Sequence, residues 1–80
     1  MRYGITLEEY EEMLDEQGGT CACCDAEPSE RDRGGRLAVD HCHETGRVRA
    51  LLCQGCNLAV GHLKDDLNRA RALVTYLARA

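Results

Sequence analysis

The stretch LAVDHCHETGRVRALLCQGCN, residues 37–57, decides the fold of this chain. Residues 36–40 and 47–52 are two short runs that contain apolar residues, and each has the length of one β-strand. Thr45-Gly46 lies between them in a polar segment that is typical of a turn. We therefore expect a β-hairpin, followed over residues 53–61 by a cysteine-containing turn and a short helix.

A first helix is predicted before this hairpin, over about residues 6–17. Thr6 and Glu9 match a capping box, and Gly18-Gly19 can end the helix. Acids dominate its surface positions and are expected to face solvent. Its apolar residues recur at helical spacing and are expected to pack in the core; they are Leu7, Tyr10, Met13 and Leu14.

A last helix is predicted over about residues 66–79. Asp65 or Asp66 can cap its first turn, because a carboxylate there accepts hydrogen bonds from free backbone amides. An apolar stripe follows at helical spacing, formed by Leu67, Ala70, Leu73, Val74 and Leu77.

The length and composition predict one small domain over residues 1–80, with its hairpin core over about 20–61. A chain of 80 residues with no Trp and no Phe buries a thin core, so a covalent or metal staple is expected. No apolar run approaches the ~20 residues that span a bilayer, and no signal peptide is visible. We therefore expect no membrane partner and a reducing, cytoplasmic location.

Two C-x-x-C pairs predict the staple. Cys21 and Cys24 form one pair, and Cys53 and Cys56 form the other. Each pair can offer two thiolates from one turn, so the two turns together complete a tetrahedral Cys₄ site for a structural Zn²⁺. Two disulfides and a redox pair are the alternatives, and the missing signal peptide together with the two-pair geometry favours zinc.

The other two cysteines fit the zinc site less well. Cys23 could compete as a ligand, but the residue three positions later is Ala26, which cannot bind metal. Cys42 is expected to be a free, half-buried thiol. Cys21, Cys24, Cys53 and Cys56 therefore remain the predicted ligand set.

A second cluster of polar residues could carry chemistry. Asp40 and His41 lie at the end of the first strand, His43 follows in the turn, and Asn57 comes directly after Cys56. The oxygens of Asp40 and Asn57 suit Mg²⁺, and an imidazole can serve as a base near neutral pH. Adjacent strand residues point to opposite faces, so Asp40 and His41 can share a site only if the strand ends or bends there.

The charge distribution leaves nucleic-acid binding open. A formal net charge of −4 argues against a strong, non-specific binder of nucleic acid. Arg47 and Arg49 alternate on a strand and share a face, where contact with phosphate and simple solvation are both compatible with the sequence. Arg31, Arg33 and Arg36 give a weaker indication of the same role, and His62 is expected to be an ordinary surface histidine.

The run from Leu37 to Asn57 resembles the recombination endonuclease VII family, a branch of the HNH superfamily. The family pattern is close to V-D-H-x-H-x-T-G-x-V-R-G-L-L-C-x-x-C-N. The likeness spans about residues 3–61, because the opening Tyr3-Gly4-Ile5-Thr6 and the first C-x-x-C also resemble the family. The chain departs at Cys42, where the family often has Asp, and at Ala50, where it often has Gly.

The resemblance implies an α+β fold of the ββα-metal kind, stapled by the Cys₄ zinc site, and cleavage of DNA phosphodiesters. It carries over Asp40 and Asn57 as ligands of a catalytic Mg²⁺ or Mn²⁺, His41 as the general base and His43 as an assisting residue at the phosphate. DNA is the implied partner, with branched or nicked DNA among the candidate substrates. A monomer or homodimer and a phage or bacterial setting are both compatible.

Two other functions remain open from the sequence. The chain could be a non-catalytic zinc module that binds DNA or protein, or a thiol redox protein. A binding module has no need of the set of Asp40, His41, His43 and Asn57, so that set favours the nuclease. A zinc stoichiometry near one would exclude the redox protein.

Overall fold

The computed structural model describes residues 4–80 and shows a small α+β fold. Tyr3, which belongs to the opening motif, lies outside these residues. The elements follow one another in the predicted order, with β1, β2 and α2 consecutive in the chain. They are α1 (Leu7–Glu16), a 3-10 turn (Arg33–Gly35), β1 (Ala38–His41), β2 (Val48–Leu52), α2 (Gln54–Leu63) and α3 (Leu67–Arg79).

The predicted capping box starts α1. The Thr6 hydroxyl accepts a hydrogen bond from the Glu9 amide at 3.1 Å, and the Glu9 carboxylate accepts one from the Thr6 amide at 2.9 Å. Tyr10 is buried and donates its hydroxyl to the Leu37 carbonyl oxygen at 2.6 Å, which fastens α1 to the segment before β1. Leu7 is 48% exposed, so the prediction that it packs in the core is wrong.

The predicted hairpin is present, with β1 and β2 antiparallel. Its first strand begins at Ala38, two residues later than expected, because Ala38 pairs with Leu52, the last residue of β2. Residues 36–37 therefore have no position opposite them in β2. The strand also continues one residue further than expected and includes His41. Within the turn, the Gly46 amide donates to the Cys42 carbonyl oxygen at 2.8 Å, and Gly46 has a φ of 75°, which glycine adopts without steric cost.

The core of the described chain is thin, as the composition predicts. Gln17 lies at the edge of the sheet, and its side chain makes two hydrogen bonds to the backbone of Leu51. Its Oε1 accepts from the Leu51 amide at 2.9 Å, and its Nε2 donates to the Leu51 carbonyl oxygen at 3.0 Å. A core this small leaves much of the fold to be held by polar contacts and by a staple. The buried apolar residues are Tyr10, Cys21, Leu37, Leu51 and Leu52.

The last helix behaves differently from the rest. Asp66 caps it, since Oδ1 accepts from the Asn68 and Arg69 amides at 2.9 and 3.1 Å. Its apolar stripe faces solvent, with Val74 and Leu77 both 68% exposed. Across residues 4–80, none of the three helices has the length and apolar character needed to cross a membrane.

Candidate functional site

Four thiols meet at one end of the hairpin, and they are the four predicted zinc ligands. Cys21 and Cys24 come from the turn after α1, Cys53 is the N-cap of α2, and Cys56 lies in its first turn. Their sulfur atoms all lie within 4.8 Å of one another. Cys23 is exposed and stands outside the cluster. All six cysteines, which lie in the described part of the chain, are free thiols.

The spacing of these sulfurs fits a tetrahedral zinc ion. A Zn–S bond of about 2.3 Å places neighbouring ligands of a tetrahedron about 3.8 Å apart. The Sγ atoms of Cys24 and Cys53, which belong to different turns, are 3.7 Å apart. The donor set, with four soft sulfurs and no open position, is that of a structural site. The cluster could therefore hold a metal such as zinc.

The electrostatics of the cluster also fit a cation. Burial raises the pKa of the Cys21 thiol, but hydrogen bonds from the amides of Cys24, Cys53 and Cys23 outweigh this, and the pKa falls to about 6. Burial and the neighbouring sulfurs raise the pKa of Cys56. Thiolates crowded this closely repel one another, so a cation is required for all four to ionise together.

A polar cleft lies beside α2. It has a volume of about 500 Å³ and contains all four residues of the second predicted cluster. These residues reach it from the end of β1, from the hairpin turn and from the first turns of α2. The cleft is lined by Val39, Asp40, His41, His43, Asn57, Leu58, Gly61 and His62.

A β-bulge accompanies the meeting of Asp40 and His41 in this cleft. Asp40 lies opposite Ala50, but His41 lies opposite Val48, so the register shifts between the two residues. Arg49 is the extra residue on β2. A bulge bends a strand and changes the direction of its side chains. It therefore supplies the bend that Asp40 and His41 need if they are to share a site.

Arg49 lies among carboxylates. Its Nε donates to Asp40 Oδ2 at 2.6 Å, and its Nη2 donates to Asp40 Oδ1 at 3.1 Å and to Asp65 Oδ1 at 3.0 Å. Hydrogen bonds from Arg49 to Asp40 and Asp65 raise the pKa of the guanidinium far above its ordinary value. Arg47, its predicted companion in phosphate contact, is exposed.

Asp65 is a site residue that sequence reasoning missed. Asp66 alone caps α3, and Asp65, with a φ of 59°, turns its carboxylate to the site. Its Oδ2 accepts from the His43 amide at 3.1 Å and lies 2.7 Å from His43 Nδ1. Hydrogen bonds from the His43 amide, the His43 ring and Arg49 lower the pKa of Asp65 to about 2. The sequence carried one indication of this role: Asp65 and Asp66 are adjacent acids before α3, and a single acid is enough to cap that helix.

Two further residues were missed. His62 was expected to be an ordinary surface histidine; it is exposed, as expected, but it also lines the polar cleft together with Asn57. Asp32 is only 5% exposed, and its carboxylate accepts from the Gln54 amide at 2.7 Å and from the Ser29 amide at 2.8 Å. These two amides lower the pKa of Asp32 and hold the loop before β1 against the start of α2.

A hairpin and a helix that carry four clustered thiols and line a polar cleft define a small α+β fold with a candidate metal centre. The family model of recombination endonuclease VII matches residues 1–79. The chain therefore belongs to the recombination endonuclease VII family.

Two phage proteins are similar to this chain. The Gene 59 protein of Mycobacterium phage D29 is 41% identical over 78 residues, which cover 96% of this chain and 46% of that protein. The Gene 59 protein of Mycobacterium phage L5 is 40% identical over 76 residues, which cover 94% of this chain and 44% of that protein. The chain thus spans less than half the length of these relatives, and its organisation as a single domain stays a prediction.

Proposed function

We propose that this chain is a metal-dependent DNA endonuclease of the HNH type. The observation that carries the proposal is the convergence of Asp40, His41, His43 and Asn57 in one polar cleft. Membership of the endonuclease VII family supports a nuclease role. The four thiols would hold a structural zinc that keeps α2, and with it Asn57, against the hairpin.

Asp40 and Asn57 are the residues that would hold a catalytic Mg²⁺ or Mn²⁺. Both offer oxygen atoms to the same cleft, and oxygen is the donor that these hard cations prefer. The contacts with Arg49 leave Asp40 able to bind a cation, because a carboxylate has about four acceptor positions. When bound, the cation would stabilise negative charge that develops on the phosphate and the leaving oxygen.

His41 is the proposed general base. Hydrolysis of a phosphodiester requires that the attacking water lose a proton, and an imidazole accepts one near neutral pH. The carbonyl oxygen of His41 accepts a hydrogen bond from Arg49 Nη2 at 3.3 Å, which ties the backbone of the base to the Asp40–Arg49 ion pair. The base and the Asp40 carboxylate are therefore positioned by the same guanidinium.

His43 is proposed to assist at the phosphate. Its Nδ1 lies 2.7 Å from the Asp65 carboxylate, a contact that fixes the ring and leaves Nε2 for a phosphate oxygen. Asp65 touches both His43 and Arg49 and is therefore a positioning residue. Branched or nicked DNA is the substrate class that the family resemblance suggests, with the chain acting as a monomer or a homodimer.

A plasmid-nicking assay on the 80-residue chain, with its zinc content measured, tests the proposal. The chain should nick supercoiled DNA when Mg²⁺ or Mn²⁺ is added, lose activity in dilute EDTA and recover it when the divalent cation is restored, with zinc retained throughout. His41→Ala should be inactive under every condition, and Thr75→Ala, on the exposed surface of α3, should cut like the parent.

The assay also separates the alternative function. If the folded, zinc-loaded chain cuts neither supercoiled, nicked nor branched DNA with either cation, the proposal is wrong and the chain is a zinc-binding interaction module. If it cuts DNA without any added divalent cation while containing zinc alone, the assignment of Asp40 and Asn57 as ligands of a second metal is wrong.

A further inference from the structure

A second cleft adjoins the polar cleft. It has a volume of about 410 Å³ and lies between the loop before β1 and the start of α2. Val39, Asn57 and Leu58 line both clefts, so the two adjoin along β1 and α2. We refer to this combined depression as the β1–α2 groove.

The two ends of the β1–α2 groove carry different groups. The end described above holds Asp40 and the histidines. The other end is lined by Arg33 and Arg36, which are both exposed. The Arg36 guanidinium lies 5.5 Å from the centroid of the Tyr10 ring, close enough for a cation–π contact that holds the side chain in place.

Arg33 and Arg36 make no direct ion pair with an acid in the described part of the chain. Among the arginines of residues 4–80, Arg49 alone forms ion pairs. Asp32, which lines the same cleft, is buried and gives its oxygens to the Ser29 and Gln54 amides. The basic end of the groove is therefore available to an anion, whereas Arg49 is already occupied by two carboxylates.

We propose that one strand of a DNA duplex lies along the β1–α2 groove, with its backbone phosphates bound by Arg33 and Arg36. The proposal rests on the proposed function, since the same strand would present its scissile phosphate in the polar cleft. A DNA strand carries one charge per about 3.4 Å of helix axis, so it can place phosphates at both ends of the groove. A guanidinium binds phosphate through two parallel hydrogen bonds.

The middle of the groove suits such a strand. Val39 and Leu58 form an apolar floor between the two ends, and Leu58 is 51% exposed. Apolar side chains there can contact sugars, which carry no charge. Contacts with phosphate and sugar position a duplex but read no sequence, so the groove should bind DNA of any sequence equally.

Binding of a short fluorescein-labelled duplex tests the proposal. The binding experiment uses the His41→Ala background, which separates affinity from cleavage, and covers about 50–200 mM salt. Replacing both arginines, in Arg33→Gln/Arg36→Gln, should weaken binding roughly tenfold or more at the low-salt end. It should also reduce the slope of log affinity against log salt by about 2, since two phosphate contacts are lost.

Two matched variants control for charge. Arg71→Gln/Arg79→Gln removes the same formal charge from α3, whose arginines line neither cleft, and should leave the salt slope unchanged. Arg33→Lys/Arg36→Lys keeps the charge and should retain the salt slope. If Arg36→Gln impairs folding through the loss of its contact with Tyr10, Arg33→Gln alone should still lower the slope by about 1.

The outcomes that overturn the groove differ from those that overturn the nuclease. If Arg33→Gln/Arg36→Gln binds with the affinity and slope of the α3 control, or if the α3 control loses as much as the groove variant, the proposal is wrong. The endonuclease proposal fails by a separate result, in which the parent chain binds DNA with its full salt slope but never nicks it.

Discussion

The thiol cluster and the polar cleft both use residues of the same short helix, α2, and they are built in opposite ways. The cluster draws four identical ligands from two turns and leaves no open position. The cleft draws different side chains from three segments and holds them with ion pairs among Asp40, Arg49, Asp65 and His43. A closed, uniform site suits a permanent structural ion, whereas an open, mixed site suits an exchangeable ion and a substrate.

The largest expected effect comes from breaking the cluster. Cys53→Ser removes one of the four sulfurs but leaves a residue that can still cap α2, so the chain should lose its zinc and with it its fold, because binding energy at such a site is folding energy. Circular dichroism and zinc content report the change. Cys42→Ser, outside the cluster, is the control and should retain both. Native dichroism with full zinc content in Cys53→Ser would overturn the Cys₄ assignment.

The second expected effect is a large loss of cleavage activity with little change in structure. His41→Ala should keep zinc, fold and DNA binding and lose cleavage by roughly 10²–10⁴-fold, since the base for water is gone. Asp40→Ala should also lose cleavage, but excess Mn²⁺ should partly restore it, because its defect is metal affinity. Nicking rates over a range of Mn²⁺ concentrations distinguish the two. Parental cleavage by His41→Ala, with His43→Ala inactive, would exchange the two roles.

A smaller effect is expected from the pair of neighbouring acids before α3. Asp65→Ala frees His43 and Arg49 and should lower the cleavage rate roughly tenfold, with DNA binding and zinc retained. Asp66→Ala removes the cap of α3 and should cost about 1 kcal/mol of stability with little change in the cleavage rate. Steady-state nicking and thermal melting separate the two. Equal activity losses in both variants would show that Asp65 acts only through the stability of α3.

The smallest expected effect is a difference in how the zinc site and the Asp65 carboxylate respond to pH. Zinc binding requires thiolates, so acidification should release zinc and unfold the chain. The pKa of Asp65 is about 2, below its ordinary value near 4, so its stabilising contacts persist above that ordinary value and disappear only as the pH falls towards 2. Asp65→Ala lacks these contacts at every pH and should therefore lose zinc and unfold at a slightly higher pH than the parent, as followed with a chromophoric zinc indicator and by dichroism. An unchanged midpoint would show that the carboxylate network adds nothing to the stability of the zinc-bound fold.

Much of this architecture could be predicted because its signals are local. The capping box at Thr6, the turn at Gly46 and the C-x-x-C spacings each depend on a few neighbouring residues. The start of β1 was harder to predict, because the pairing of Ala38 with Leu52 depends on register and not on the apolar run itself. Leu7 was misjudged because helical spacing shows which side of a helix is apolar, but not how far the core extends.

The roles of charged residues could not be predicted in the same way. Arg49 and Arg33 look alike in sequence, yet the bulge brings Arg49 between Asp40 and Asp65, and the loop before β1 leaves Arg33 facing the second cleft. Asp65 meets His43 across 22 positions of sequence, a separation that no local pattern encodes. A long-range contact of this kind is available only when the fold has brought the two segments together.

By itself, the sequence determined the chemistry available to this protein: two thiol pairs, a hairpin between them and the residues Asp40, His41, His43 and Asn57. The thiol pairs and the hairpin follow from spacing along the chain, because each is built from near neighbours in a turn or a strand, and the four polar residues follow from the family resemblance. The tertiary structure decided which charges meet and which stay available, from the Asp40–Arg49 pair to the basic end of the β1–α2 groove. Electrostatic interactions depend on distance and burial in space, and the order of residues in the chain specifies neither until the chain has folded.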